Sequence, residues 1–328
     1  MLYKAFVVEE TDGRFVSSIK NLNTENLPDG DVLIHVRYSS LNYKDALSAT
    51  GNKGVTKKYP HTPGIDAAGV VVTSASDSFC VGDEVIVTGY DLGMNTPGGF
   101  GEYIRVPANW VIKLPAHLSM KEAMIIGTAG FTAGICMLRL TEKIQPHNGK
   151  IIVSGATGGV GSMALAMLSK AGYNTIAISG KTQEHDFIKS MGANEVISRL
   201  DFNKIEDKPI LSSQYAGAID TVGGDVLVKI IKSLNPLGVV TTCGSVAGTK
   251  LDLNVFPFIL RGVSLIGVSA QNYPENLRKI LWGKLANEMK PVNLMNMYQE
   301  VTLEALSDAI DNILSGKLKG RTIVKVSE

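Results

Sequence analysis

The sequence has few cysteines and almost no net charge. Its three cysteines, Cys80, Cys136 and Cys243, are far apart and odd in number, so they fit neither a disulfide framework nor a closely spaced metal cluster. We expect buried free thiols in a reducing cytoplasm. Lysine and arginine total 32 against 31 acidic residues, a net charge of +1. No overall field therefore favours nucleic acid or a membrane surface as a partner.

Signals for export and membrane insertion are also missing. The N-terminal stretch MLYKAFVVEETDG has no charged region followed by an apolar one, so it does not indicate a secretion signal. No apolar run approaches the ~20 residues that a membrane helix requires. These absences predict a cytoplasmic protein without a membrane partner.

The pattern of short apolar segments changes along the chain. Up to about residue 115, β-branched segments separated by Gly, Pro, Asn and Asp predict an antiparallel, barrel-like β unit. From Lys150, short apolar strands alternate with helices, which predicts a parallel sheet covered on both faces. The final stretch GRTIVKVSE predicts a strand that returns to the first unit. We therefore predict an α/β protein with one domain over residues 1–121 and 270–328 and an inserted domain over 122–269.

The stretch IIVSGATGGVGSMALAML carries the strongest motif. A predicted strand ends at Ser154, and Gly155, Gly158 and Gly161 precede a helix. In dinucleotide-binding units, such glycines allow a tight turn, the approach of a pyrophosphate and close packing of helix and strand. The free N–H groups of the helix N-terminus attract the phosphates. We expect cofactor contacts from the loop residues Thr157, Gly158, Gly159 and Val160; a glycine turn without a ligand is the alternative.

The end of the next predicted strand indicates which dinucleotide binds. An NAD site places an acidic residue there for the ribose 2′-hydroxyl, whereas this sequence has Ser179, Gly180 and Lys181. A hydroxyl and an ammonium suit a 2′-phosphate, and Arg199 after the third strand adds a second cation. Either cation alone is typical of a solvated surface, but together they predict NADPH as the cofactor.

Several blocks of the sequence resemble a known superfamily. PGIDAAGVV, VGDEVIVTG, GGFGEYIRVP, GTAGFTA and GATGGVG are similar to recurring blocks of the medium-chain dehydrogenase/reductase superfamily and follow its order over the whole chain. SSLNYKDAL, GIDAAG, AMIIGTAGFTA and FPFILRGVSLIGV resemble more specifically its zinc-independent YhdH/YhfP-type group, described as quinone oxidoreductases and including acryloyl-CoA reductases. The resemblance implies a GroES-like barrel domain with an inserted Rossmann domain. It also implies a homodimer joined at the last strand of the inserted sheet, predicted from Gly262 to Val268.

The resemblance also implies a reaction without a metal ion. In the zinc alcohol dehydrogenases, a histidine that binds the catalytic zinc corresponds to Ile65, and the first cysteine ligand corresponds to Asn42. The four closely spaced cysteines of the structural zinc lobe are missing as well. Zinc prefers thiolate and imidazole ligands, so no zinc ligand remains at these positions.

The polar residues at the former metal position are the predicted catalytic residues. By resemblance, Tyr43 lies beside the nicotinamide and also contacts the cofactor, while Asn42 and Asp66 line the substrate side. A structural role for Asp66, bracing its strand and the NYKD loop, is the alternative, and Asp45 is expected to cap a helix. Further cofactor contacts are expected near the nicotinamide ribose and at a loop after a later strand, from Thr128, Gly244 and Ser245.

These features together predict hydride transfer from NADPH to the β-carbon of an activated alkene, with a proton delivered to the α-carbon or the oxygen. Asn42 and Tyr43 would donate to the charge that develops on the substrate carbonyl. Quinones and acryloyl-CoA-like thioesters remain alternative substrates. In the second case the loop lysines Lys53, Lys57 and Lys58 would contact CoA phosphates; otherwise they are solvated. A non-catalytic NADPH-binding sensor or regulatory module is the alternative of a different class.

Overall fold

A computed structural model describes residues 1–205 and 208–328. The described chain divides into two compact units. The first comprises Met1–Thr128, Gln271–Asn287 and Leu294–Glu328, and the second comprises Ala129–Ala270 and Glu288–Asn293. The boundary expected at residues 121/122 falls inside a helix, and the structure places the division after Thr128.

The first unit is built mainly from antiparallel strands, numbered here in chain order. Its strands are β1 (Leu2–Thr11), β2 (Arg14–Asn23), β3 (Val32–Leu41), β4 (Asp66–Ser74), β5 (Glu84–Thr88), β6 (Tyr103–Val106), β7 (Val111–Lys113), β14 (Tyr298–Thr302) and β15 (Arg321–Lys325). β1 and β2 form a hairpin. The larger sheet has the order β14-β15-β3-β4-β5-β7, with β6 also paired to β3. Only β14 and β15 pair in parallel among its described strands.

The last strand closes the first unit. β15 pairs antiparallel with β3, with Thr322 opposite Leu41, which confirms the predicted return of the C-terminal segment. The apolar residues of β3, β4 and β5 form a core with Phe6 and Phe100, whose rings meet edge to face at 6.4 Å. The helices wholly within this unit are α1 (Tyr43–Ala49), α8 (Glu275–Ala286) and α9 (Leu306–Leu314).

The second unit is a parallel sheet with helices between its strands. Its strands are β8 (Ile151–Val153), β9 (Thr175–Ser179), β10 (Glu195–Ser198), β11 (Tyr215–Asp220), β12 (Leu234–Thr242) and β13 (Ser264–Gly267), and its helices are α3 (Gly159–Lys170), α4 (His185–Ser190), α5 (Arg199–Asn203), α6 (Gly224–Lys232) and α7 (Phe256–Arg261). The order β10-β9-β8-β11-β12-β13 is the doubly wound arrangement. It confirms the predicted Rossmann sheet, whose order reverses beside β8. Ligands of such sheets bind at the carboxyl ends of the strands near that reversal.

Helix α2 (Met120–Thr141) contains the boundary between the units. It begins at a capping box, where the Glu122 N–H donates to the Ser119 hydroxyl (3.2 Å) and the Ser119 N–H donates to the Glu122 carboxylate (2.9 Å). By length and composition, α2 is the one helix of the described chain that suits a membrane span. This corrects the expectation that no segment approaches that size. However, 83% of its most apolar window is buried within the protein, which is typical of a core helix.

The cysteines differ from expectation at one position. Cys136 is buried and Cys243 partly buried, but Cys80 is exposed. The expectation of buried thiols is therefore wrong for Cys80. All three are free thiols.

Candidate active site and cofactor site

The carboxylate of Asp66 lies at the start of β4 and is fully buried. It accepts hydrogen bonds from the Ser40 hydroxyl (2.6 Å) and the Asn42 amide (2.8 Å). The Thr128 hydroxyl (2.6 Å) and backbone N–H (3.0 Å) donate to it as well. The Arg321 guanidinium is 4.0 Å from Asp66 Oδ2. A buried charge is tolerated only when it is paired and hydrogen-bonded, and these groups meet that condition.

Arg321 is the residue of this site that the sequence analysis missed. It begins β15 and is only 3% exposed. Its guanidinium donates to the Ser40 hydroxyl (2.8 Å), the Asn42 Oδ1 (3.2 Å) and the Ile125 carbonyl (3.0 Å). Burial lowers its pKa, and the negative charge of Asp66 acts in the opposite direction. The sequence did contain a signal for this residue, namely an arginine in an otherwise apolar strand. Since arginine is almost never fully buried unless it is paired, such a position indicates a buried acidic or polar partner.

The side chain of Asn42 has its orientation set by charged neighbours. Arg321 donates to Oδ1, so this atom must be the amide oxygen. The Nδ2 group donates to Asp66 Oδ2 (2.8 Å) and to the Ser40 carbonyl (3.2 Å). Both amide hydrogens are therefore used within what we call the buried polar cluster: Ser40, Asn42, Asp45, Asp66, Thr128 and Arg321. This is the geometry of a positioning residue, and a contact of Asn42 with substrate stays a prediction.

Asp45 caps the start of α1, as expected. Its carboxylate accepts from the backbone N–H groups of Asn42 (2.8 Å), Ile65 (2.8 Å) and Gly64 (3.2 Å). Burial, followed by the charge of Asp66, raises the pKa of Asp45 to about 7. The hydrogen bonds from Asn42 and Ile65 act against this shift but do not cancel it.

Gly127 allows helix α2 to pass close to the cluster. Its backbone is left-handed, with φ +48°, and interrupts the helix. A Cβ atom built there would lie 2.7 Å from Ser40 Oγ and 2.8 Å from Asp66 Oδ2, so a side chain is excluded both by strain and by space. The N–H of Thr128 begins the following helical stretch and points at the Asp66 carboxylate, which suits the positive end of a helix dipole. The predicted cofactor contact of Thr128 remains untested.

Tyr43 and Lys44 begin α1 directly after Asn42. The Tyr43 side chain is 43% exposed, and its hydroxyl makes no hydrogen bond within the described chain. Lys44 is half-buried, and its Nζ donates to Gln271 Oε1 at 2.8 Å. Burial lowers the pKa of Lys44, while the charge of Asp45 opposes this shift. The sequence analysis named Tyr43 but not Lys44.

The lysines of the loop after α1 have different surroundings. Lys53 pairs with Glu10 at 2.5 Å and lies over the rings of Phe15 and Tyr59. Its charge is therefore already engaged within the first unit. Lys57 and Lys58 are exposed, and neither forms an ion pair in residues 1–205 and 208–328.

The predicted glycine loop joins β8 to α3 at the carboxyl end of the parallel sheet. Gly155 has φ +61°. A Cβ atom at Gly161 would lie 2.3 Å from the Gly155 carbonyl oxygen, which confirms the close packing of helix and strand. Gly158 is the N-cap of α3, and Gly159 and Val160 begin the helix. The first turn of α3 therefore presents backbone N–H groups that a helix cannot satisfy internally.

The residues predicted to determine whether NADP or NAD binds lie together at the end of β9. Ser198 on β10 is opposite Ser179 on β9, so Arg199 follows directly beside this strand end. A Cβ atom at Gly180 would lie 2.8 Å from Arg199 Nη2, so the guanidinium covers this glycine. The Ser179 hydroxyl accepts the N–H of Lys181 at 3.0 Å. This edge of the sheet thus carries a hydroxyl and cations.

A carboxylate that the sequence analysis missed organises the neighbouring strand ends. Asp220 closes β11 and is fully buried. It accepts from the hydroxyls of Ser154 (2.7 Å) and Thr242 (2.9 Å) and from the N–H of Gly223 (3.0 Å). It therefore ties together the carboxyl ends of β8, β11 and β12. The predicted contacts Gly244 and Ser245 follow β12 in the next loop.

Comparison with known proteins assigns both units to one superfamily. The family described as "Alcohol dehydrogenase GroES-like domain" matches residues 28–116, and the family "Zinc-binding dehydrogenase" matches residues 159–287. The acrylyl-CoA reductase AcuI of Ruegeria pomeroyi is 36% identical over 329 residues, covering 99% of this chain and 100% of that protein. The chain belongs to the YhdH/AcuI family of medium-chain oxidoreductases.

Two solved structures of this family resemble the chain over its whole length. The YhdH oxidoreductase of Salmonella enterica, in complex with NADP, is 42% identical, with a TM-score of 0.96 and coverage of 99% of this chain and 100% of that one. The YhfP protein of Bacillus subtilis, with NAD bound, is 41% identical, with a TM-score of 0.96 and 99% coverage of both chains. The predicted family and its GroES-like and Rossmann domains are confirmed.

The name of the second family raises the question of zinc. The donors at the corresponding position do not fit it, because Ile65 has no ligating atom and the Asn42 amide is bound to Asp66 and Arg321. A buried guanidinium beside the site would also oppose a second cation. Among the described residues, no three or more His, Cys, Asp or Glu side chains form a group suited to a metal ion.

Proposed function

We propose that this oxidoreductase uses NADPH, without a metal ion, to reduce an activated alkene or a quinone. Two relatives support the proposal: Salmonella YhdH was crystallised with NADP, and Ruegeria AcuI is named for acrylyl-CoA. Since Bacillus YhfP was crystallised with NAD, the preference for NADPH rests on this chain's own residues. The observation that carries it is the Arg199 guanidinium against Gly180, beside Ser179.

The residues that would hold the cofactor lie mainly at the carboxyl ends of the parallel strands. The loop Thr157, Gly158, Gly159 and Val160 and the first turn of α3 suit a pyrophosphate. Ser179, Lys181 and Arg199 suit the 2′-phosphate. We also assign contacts to Tyr43, Thr128, Gly244 and Ser245. When bound, NADPH supplies the hydride; one proton is consumed for each double bond that is saturated.

The first unit would act on the substrate. Reduction at the β-carbon places negative charge on the carbonyl oxygen, which hydrogen-bond donors held in place stabilise strongly. Tyr43 offers a hydroxyl that has no hydrogen-bond partner among the residues that the structure describes. Asn42 and Asp66 have their polar atoms engaged with each other and with Arg321, so we assign them to holding the start of α1, where Tyr43 lies.

The test is NADPH oxidation by the purified protein with three substrates: acryloyl-CoA, a simple enone and a quinone. We expect turnover, with mass spectrometry identifying propionyl-CoA as the product from acryloyl-CoA. Elemental analysis should find zinc well below one atom per chain, and a chelator should leave the rate unchanged. NADPH binding without turnover of any substrate would instead support the sensor or regulatory module.

A further inference from the structure

The buried polar cluster leaves the proposed reaction short of donors for the substrate oxygen. Both hydrogens of the Asn42 amide are used internally. The Thr128 hydroxyl and N–H point at Asp66, and the Arg321 guanidinium is enclosed in the cluster. The Tyr43 hydroxyl has no partner within residues 1–205 and 208–328, but one neutral donor is modest support for a developing negative charge. A further donor on the same turn of α1 is therefore of interest.

Lys44 has the properties of such a donor. Its ammonium carries three N–H groups, and in the described chain it makes one hydrogen bond, to Gln271 Oε1. That acceptor is a neutral amide, and no carboxylate pairs with Lys44 in the described chain. Because Lys44 has no ion pair among the described residues and one hydrogen-bond partner, two of its N–H groups are left for a ligand. Its field is also screened less by water than that of an exposed lysine.

Gln271 is itself anchored through its backbone. Its carbonyl oxygen accepts from the Tyr90 N–H (2.9 Å) and from the Arg278 guanidinium (3.1 Å). The Gln271 side chain therefore extends from a backbone that Tyr90 and Arg278 hold in place. The Lys44 ammonium is thus held at one place by a neutral group, which is what a preorganised electrostatic donor requires.

We infer that Lys44 donates, together with Tyr43, to the carbonyl oxygen of an α,β-unsaturated carbonyl substrate, and that Gln271 is its positioning residue. This rests on the proposed reduction. The hydride adds to the β-carbon, the electron pair of the double bond moves into the enolate, and Lys44 stabilises the enolate oxygen until the α-carbon takes a proton from solvent. The ammonium donates a hydrogen bond and is not itself consumed.

The test compares three variants with the parent protein, using acryloyl-CoA and a simple enone. Lys44→Met removes the charge at similar size, and we expect kcat to fall about 10²-fold for both substrates, with the affinity for NADPH unchanged. Lys44→Arg should recover part of the loss. Gln271→Glu keeps an acceptor for Lys44 but adds a carboxylate, which neutralises the ammonium. It should lower kcat without lowering the melting temperature.

The control is Lys20→Met, on β2, where the lysine pairs with Glu9 on the surface of the same unit. It should leave kcat unchanged. A Lys44→Met protein that melts like the parent and keeps its kcat would overturn the inference alone. A Gln271→Glu protein with parental kcat would also overturn it. If the Lys44–Gln271 contact were only structural, a glutamate would preserve the contact and kcat would not change. A parent without turnover of any substrate would overturn the proposed function, and this inference with it.

Discussion

Arg321 and Asp66 form a buried pair of opposite charges, 4.0 Å apart, that is joined through the side chains of Ser40 and Asn42. Removal of one member leaves the other charge uncompensated in the interior, which typically costs about 3–5 kcal/mol. We therefore expect Asp66→Asn and Arg321→Met each to lower the free energy of unfolding by about this amount. Chemical denaturation measures it, and the double variant should lose less than the sum of the two.

The same variants decide between the two roles of Asp66. The hydrogen bonds around its carboxylate favour a structural role, in which Asp66 braces its strand and the NYKD loop. In that case Asp66→Asn should mainly lower the stability of the protein. A general acid or base would contribute ~10²–10⁴-fold to the rate. An Asp66→Asn protein with parental stability and a kcat lowered by that factor would contradict the bracing role.

Arg199 should discriminate between the two dinucleotides. Arg199→Ala and Lys181→Ala each remove a cation from the proposed 2′-phosphate site, so the binding of NADPH should weaken by about 1–2 kcal/mol. The binding of NADH, which lacks that phosphate, should hardly change. Fluorescence titration measures both affinities, with Lys189→Ala on α4 as a control. Equal affinities of the parent protein for NADPH and NADH would refute the assignment.

Asp45 should make the stability depend on pH near neutrality. Its pKa is about 7 in the folded chain against an ordinary value of 3.8, so between these values the folded state binds a proton that the unfolded state has released. Raising the pH through this window therefore lowers the free energy of unfolding. Asp45→Asn does not titrate, so the stability of the parent should fall relative to this variant between pH 5 and pH 8. A constant difference, or one of opposite slope, would contradict the raised pKa.

The exposed apolar residues around α7 favour the predicted homodimer. Phe256, Ile259 and Leu260 on α7 are 43%, 67% and 67% exposed, and β13 is an edge strand of the sheet. An open strand edge with apolar neighbours is prone to pairing, and a two-fold contact would close it. We expect a dimer by light scattering and a monomer for Leu260→Glu. Val81→Glu, at another exposed apolar position, is the control; a monomeric parent at micromolar concentration would rule out the dimer.

The sequence predicts the second unit better than the site in the first. Strand–helix alternation and Gly155, Gly158 and Gly161 act locally, so they can be recognised in a short window. Arg199 and Ser179 could be related because Ser179 ends one strand and Arg199 directly follows the next, and parallel strands end at the same edge of the sheet. These are consequences of periodicity and topology alone.

The buried polar cluster could be predicted only in part. Asn42 and Asp66 stood out through the resemblance, but Arg321 is brought to them by the pairing of β15 with β3, a contact remote in sequence. The direction of the Asn42 amide depends on that arginine. Lys44 was missed for a similar reason, since its partner Gln271 is distant along the chain.

The position of Arg321 in the chain also has a consequence for synthesis. Asp66 and Asn42 are made early, whereas Arg321 follows the entire second unit. Until β15 has left the ribosome, the nascent first unit holds a carboxylate whose cation does not yet exist. Its sheet also lacks a strand beside β3 during this time. The first unit therefore completes its fold only after translation has passed the second, and a chain that stops before β15 leaves its charge pair permanently unfinished.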